Sequence, residues 1–105
     1  EQVERGGRRV HLSDIVIFET VYLLERTYRQ PKPAIAAALL PLLDLPGIVL
    51  RGKRKFHEVF DLYVSLNLPF ADAYFVVFMR QHGIDEIITF DHDFDRVPGI
   101  TRQEP

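Results

Sequence analysis

Along the chain the apolar residues switch repeatedly between a strand-like and a helical period. RVHL, 9–12, reads as a short strand after Gly6 and Gly7, and Ser13 then stands as a helix N-cap with Asp14 in the first turn, where the helix dipole favours an anion. The helix predicted from 14 to about 29 is apolar nearly all round between Ile15 and Leu24, the pattern of a buried helix. It turns polar at Glu25, Arg26, Arg29 and Gln30 before Pro31 closes it. Pro33 suits a first helical position, and Ile35, Leu39, Leu42 and Leu43 keep a helical stripe with a break or kink expected at Pro41. GIVLR, 47–51, is a buried strand, and in the helix over 54–66 Phe56, Val59, Phe60, Tyr63 and Val64 share one face. Pro69 opens FADAYFVVFMRQH, a helix stopped at Gly83. EIITF, 86–90, is a strand, and after the Pro98–Gly99 turn Ile100–Arg102 forms an edge strand.

Strands separated by helices predict an α/β fold, a doubly wound parallel sheet with helices on both faces, in three layers. Such a sheet aligns the C-terminal ends of its strands along one rim, where ligands bind. With 105 residues and 47% hydrophobic content the chain supports one domain, 1–105. EQVERGG reads as the last turn of a helix running into a glycine stop, so the chain is expected to begin mid-domain, N-terminally incomplete.

Composition narrows the chemistry. There is no cysteine, hence no disulfide and no thiolate metal site, which suits a reducing, cytoplasmic setting. A net charge of −2 gives no global positive field for nucleic acid, so only a local basic patch could attract it. No apolar run reaches the ~18 residues of a membrane span, and residues 1–9 do not read as a signal peptide.

The acidic residues stand out against their neighbours. Glu19 is the one carboxylate in IVIFETVYLL, Asp72 the one charge in PFADAYFVVF, and the strand IITF runs directly into Asp91 and Asp93. An unpaired buried carboxylate costs several kcal/mol, so each must be protonated, paired with a base, or set on a cation. No Lys or Arg lies three or four residues from Glu19. Asp91 follows a buried strand and so lies on the ligand rim, and Asp72 sits in a first helical turn. Hard oxygen ligands gathered together are what Mg²⁺ or Mn²⁺ takes, which points to metal-dependent hydrolysis. The plain alternatives are a core glutamate at 19, a dipole-serving acid at 72, a turn former at 91 and solvated loop acids at 93 and 95.

The segments SDIVIFETVYLLERTY, PFADAYFVV and ITFDHDFDRVPGITRQEP together resemble PIN domain nucleases, including VapC-type toxins of toxin-antitoxin systems. The resemblance implies a ribonuclease that binds Mg²⁺ or Mn²⁺ through acidic residues and hydrolyses RNA phosphodiesters with metal-activated water. It makes Glu19 the second acidic position, Asp72 the third, Asp91 the fourth and Asp93 an auxiliary acid, and it sets Thr89 near the metal. The first acidic position, at the end of a central strand, has no counterpart here, so the resemblance also implies a chain lacking a ligand and impaired as it stands. An antitoxin protein is the partner implied.

RGKRK, 51–55, follows a strand and precedes a helix, where lysines oppose the dipole. Phosphate contacts by Arg51, Lys53, Arg54 and Lys55 account for that placement, and a solvated charge run does so equally. Arg96 and Arg102 could extend the patch. His92, between two acids, has a smaller claim on metal or phosphate, and His11, His57 and His82 have none. Phe70, Tyr74, Phe75 and Phe78, at helical spacing, are expected in the core. If the central strand is absent, self-association into a homo-oligomer is expected to cover the open edges. TFDHDFD also imitates the strand end of haloacid-dehalogenase-type phosphotransferases, but that family needs its nucleophile early and further acids downstream, for which too little chain follows. The remaining rival is a non-catalytic PIN-like module that binds a partner protein through apolar surface.

Overall fold

Ser13 acts as its position requires in the computed structural model, which describes residues 2–105. Its backbone is extended at φ −122° and ψ 159°, and its hydroxyl accepts the Val16 N–H at 3.4 Å. From this cap α2 runs Asp14–Arg26. Ahead of it lie α1, Gln2–Arg5, and the two-residue strand β1, Val10–His11. Gly6 does stop α1, with φ +78°; Glu1 lies outside the described residues.

Beyond α2 come α3, Lys32–Leu43, β2, Ile48–Val49, α4, Lys55–Ser65, and α5, Phe70–Gln81. The chain closes with β3, Glu86–Ile88, a 3₁₀ turn at His92–Arg96, and β4, Thr101–Gln103. The helices and strands lie within a few residues of where the hydrophobic pattern puts them, with strands shorter than expected, and the 3₁₀ turn at His92–Arg96 was not predicted. The break expected at Pro41 does not occur: α3 continues through it to Leu43. Pro41 is exposed and within the last turn, so losing one backbone hydrogen bond there does not end the helix.

The four long helices form a ring, α2 on α3, α3 on α4, α4 on α5 and α5 back on α2. Inside it Phe56, Phe60, Tyr63, Val59, Val76 and Val77 are at most 1% exposed. Phe70 joins α5 to α4, its ring centroid 5.0 Å from Phe60 and 5.4 Å from Tyr63, and Phe18 of α2 meets Phe70 edge-on at 5.4 Å. Burying each such ring contributes roughly 1.5–3 kcal/mol, so the cluster of aromatics fixes how α2, α4 and α5 meet.

The single doubly wound sheet is not formed. β1 pairs in parallel with β2 (Val10 opposite Ile48), and β3 in parallel with β4 (Ile87 opposite Arg102), as two separate two-stranded sheets. Among the described residues the strands are two or three residues long and the helices pack chiefly on one another. Hydrogen-bond parity shows the open edges. Val10 and Leu12 donate to the carbonyls of Gly47 and Val49, so His11 turns its backbone away from β2. Thr101 donates to Asp85 O and Thr89 to Gln103 O, so Glu86 and Ile88 turn theirs away from β4. Among the described residues no strand pairs with either edge. The radius of gyration, 15.1 Å, exceeds the ~13 Å of a close-packed domain of about this size.

Two expectations about burial are corrected. The α2 helix is not buried all round: Ile17 and Val21 face the core, whereas Ile15, Val16, Tyr22 and Leu23 are exposed. In α5, Phe70 is buried and Tyr74 half-buried, but Phe75 and Phe78 are exposed and stack on each other at 5.8 Å. The cause is the same in both helices. Each presents its core face to the ring, and no further element among the described residues covers the opposite side.

Candidate metal centre

Asp72 lies in the first turn of α5, where free backbone N–H groups and the dipole favour an anion. Asp91 caps the 3₁₀ turn, accepting the Asp93 N–H at 2.9 Å, while its own N–H donates to Thr89 Oγ1 at 3.1 Å. The turn that follows β3 therefore folds back and brings Asp93 beside Asp91. Carboxylate oxygens of Asp72, Asp91 and Asp93 all lie within 4.8 Å of one another. Asp72 and Asp93 are half-buried and Asp91 is exposed.

Burial raises the Asp72 carboxyl to about 6, and repulsion from Asp91 and Asp93 adds to it, opposed weakly by Arg96. A group so placed takes up either a proton or a cation. Three hard oxygen donors converging from two segments fit Mg²⁺ or Mn²⁺, which completes its shell with water. Asp72, Asp91 and Asp93 are the residues that would hold it.

Arg96 sets one side of the group. Its Nη1 donates to Asp93 Oδ1 at 2.9 Å, and Nε and Nη2 reach the carbonyls of Leu66 and Asn67, both at 3.0 Å. The arginine thus ties the acidic turn to the loop preceding α5. Its position three residues after Asp93 was the available signal, read only as a possible phosphate contact. Thr89 likewise orients Asp91 through its hydroxyl, and its carbonyl accepts from Arg102 at 3.2 Å. His92 faces Asp95 and Arg102, each at 3.0 Å, and makes no contact with the three carboxylates.

Glu19 is not brought into this group. It is exposed on α2, beside a cleft it shares with Phe18, Tyr22, Leu23 and Thr27. The premise that it sits in an apolar interior is therefore corrected: Ile15, Tyr22 and Leu23, its helical neighbours, are exposed with it.

The basic run divides. Lys53 Nζ donates to the carbonyls of Leu45 at 3.1 Å and Ile48 at 3.0 Å, closing the turn around β2. Lys55 pairs with Asp14 at 3.0 Å, and Asp14 also accepts the Tyr74 hydroxyl, so Lys55 pins the starts of α2, α4 and α5 together. Desolvation lowers the Lys55 ammonium pKa but is outweighed by the hydrogen bonds to Asp14 and Tyr74, and the net shift is upward. This three-residue tie was not foreseen, because Asp14 looked like a helix first-turn acid and nothing more. The two lysines are structural; Arg51 and Arg54 are exposed. Lys53→Met is expected to lower stability by about 1–3 kcal/mol in urea unfolding, whereas Arg51→Ala, at an exposed position, should stay within about 0.5 kcal/mol of the parent. Full stability in Lys53→Met would reverse that assignment.

A sequence model of the PIN domain matches residues 1–100. A VapC ribonuclease of Aquifex aeolicus (strain VF5) is 25% identical over 97 residues, covering 92% of this chain and 72% of that protein. No solved structure gives a significant match. The match covers nearly the whole chain, and with five helices and short parallel strands among the described residues the protein belongs to the PIN domain family.

Proposed function

We propose that the protein is a metal-dependent endoribonuclease, a VapC-type toxin that hydrolyses RNA phosphodiesters. The observation that carries this reading is the convergence of Asp72, Asp91 and Asp93, with one of them pushed toward protonation unless a cation neutralises it. The similarity to a VapC ribonuclease supports the substrate class. A divalent cation at this group supplies Lewis acidity toward a water and toward the charge that develops on the phosphodiester. The protein's own contribution is to hold the donors. Asp91 is fixed by Thr89, Asp93 by Arg96, and Asp72 by the start of α5. Glu19 stands outside this group.

The same reading gives RNA as substrate, an antitoxin protein as partner and the cytoplasm as location. No helix among the described residues is long and apolar enough to cross a membrane. The open edges of β1 and β3, with Ile88 and Phe90 about 70% exposed, support self-association, which light scattering at two protein concentrations would test. The same exposed apolar side chains favour the second reading, a PIN-like module that works by binding protein.

Two measurements separate the readings. Mn²⁺ titrated into the 105-residue chain is expected to bind at one site that Asp91→Asn removes. Cleavage of a single-stranded RNA by the protein is expected to need Mn²⁺ or Mg²⁺ and to be lost in Asp91→Asn. Mn²⁺ binding unaffected by that substitution would end the metal-site reading.

A further inference from the structure

A cleft of about 310 Å³ opens between the second half of α2 and the start of α5. Ala71 lines it, one residue before Asp72 in the first turn of α5, so the cleft and the carboxylate group share that turn. Its volume lies within the range of small-ligand sites. Three features of its lining point to one kind of occupant. Phe18, Tyr22 and Phe70 supply aromatic surface, and Tyr22 is 58% exposed. The Arg26 guanidinium stands 4.9 Å from the Tyr22 ring, an arrangement of cation and ring that also accepts a flat heterocycle. Glu25, half-buried in the wall, is held by the Tyr63 hydroxyl through Oε2. Its Oε1 has no hydrogen bond among the described residues, and Oε2 keeps a second lone pair.

We infer that this cleft is a base-reading subsite for guanine in the RNA that the carboxylate group acts on, a proposal that rests on the nuclease reading. Guanine is the base whose pairing edge presents two adjacent donors, N1–H and the N2 amino group, which match the two oxygens of one carboxylate. Adenine and cytosine place an acceptor beside their amino group, and uracil flanks its single N–H with two carbonyls; each sets a lone pair against Glu25. Tyr22 and Phe18 provide the stacking surface. Arg26 sits at the mouth with its charge available to a phosphate. Glu25 is held in place by a tyrosine that is itself 0% exposed, so its direction is set before a base arrives.

The test titrates GMP, AMP, CMP and UMP into the 105-residue protein in EDTA and follows backbone amide shifts. GMP is expected to bind at least ~10-fold more tightly than the others, as one bidentate base contact allows. Glu25→Gln, whose amide oxygen still accepts from Tyr63, should remove the preference and keep the fold, and Tyr22→Ala should weaken all four. Equal binding of the four nucleotides, or a guanine preference that survives Glu25→Gln, would overturn the subsite. Working in EDTA separates this outcome from the fate of the metal site. A GMP preference in a protein that binds no Mn²⁺ sinks the nuclease reading and keeps the subsite, whereas Mn²⁺-dependent cleavage without a GMP preference sinks the subsite alone.

Discussion

Asp72→Asn is expected to lower Mn²⁺-dependent RNA cleavage by the protein on the order of 100-fold or more, and to stabilise the metal-free chain at pH 7. The two effects share one cause. In the native state Asp72 is pressed among Asp91 and Asp93 in a half-buried position, and its carboxyl is raised from 3.8 to about 6. Between those values the folded protein holds a proton that the unfolded chain has released. Metal-free stability therefore falls as pH rises from about 4 to 6 and stays low above it. Asparagine has no proton to lose, so the slope in this window should flatten. The shift taken at face value would be worth about 3 kcal/mol, but Asp72 is partly solvated, and screening reduces the gain at pH 7 to roughly 1 kcal/mol. Urea unfolding in EDTA at pH 4 and pH 7 reads it directly. Equal stability of the two proteins at pH 7 would mean that the three carboxylates do not share a site.

Gly47→Ala should be among the most destabilising single-methyl changes in the chain. A Cβ at position 47 would stand 2.2 Å from Arg8 O, 2.5 Å from Val3 O and 2.7 Å from Val3 Cα, all backbone atoms that cannot rotate aside. The approach is close because Gly47 is hydrogen-bonded on both sides. Its N–H donates to Val3 O and its carbonyl accepts from Val10 N–H, both at 2.7 Å. Relief requires pushing α1 and β1 away from β2, which breaks these bonds together. The expected loss is roughly 3 kcal/mol, or more than about 10 °C in Tm for a domain of this size. Gly83→Ala is the comparison. Its φ of +65° is unfavourable for alanine, but nothing lies within 4 Å of the added methyl, so about 1 kcal/mol is expected. Equal Tm losses in the two variants would show that the residue 3–47 contact is not kept in solution.

The helices were legible because each carries its own evidence. Phe56, Val59, Phe60 and Tyr63 recur at helical spacing and are the residues that α4 buries, and Ser13 and Gly83 mark ends that the structure keeps. Strand positions were legible too, but not their company. Whether β1 and β3 belong to one sheet depends on what lies between them, and periodicity within a strand carries nothing about its neighbour across the hydrogen bonds.

Sequence alone singled out the acids in or beside apolar runs, Glu19, Asp72, Asp91 and Asp93, because a carboxylate there is costly if the fold buries it unpaired. It also determined the family, through the segments around Glu19, Asp72 and Asp91. Only the tertiary structure decided which acids meet. Asp72 starts α5 and Asp91 follows β3, so the rest of α5 and all of β3 lie between them, and they converge because α5 and β3 are anchored to the same aromatic core through Phe70, Ile87 and Phe94. Glu19 stays outside because the face of α2 that carries it looks toward solvent. The same holds for the basic run, where Lys53 and Lys55 were indistinguishable from Arg51 and Arg54 until folding supplied carbonyls for one and Asp14 for the other. Charge is written in the chain, whereas the partner that neutralises it is chosen by packing across distances that no local pattern encodes.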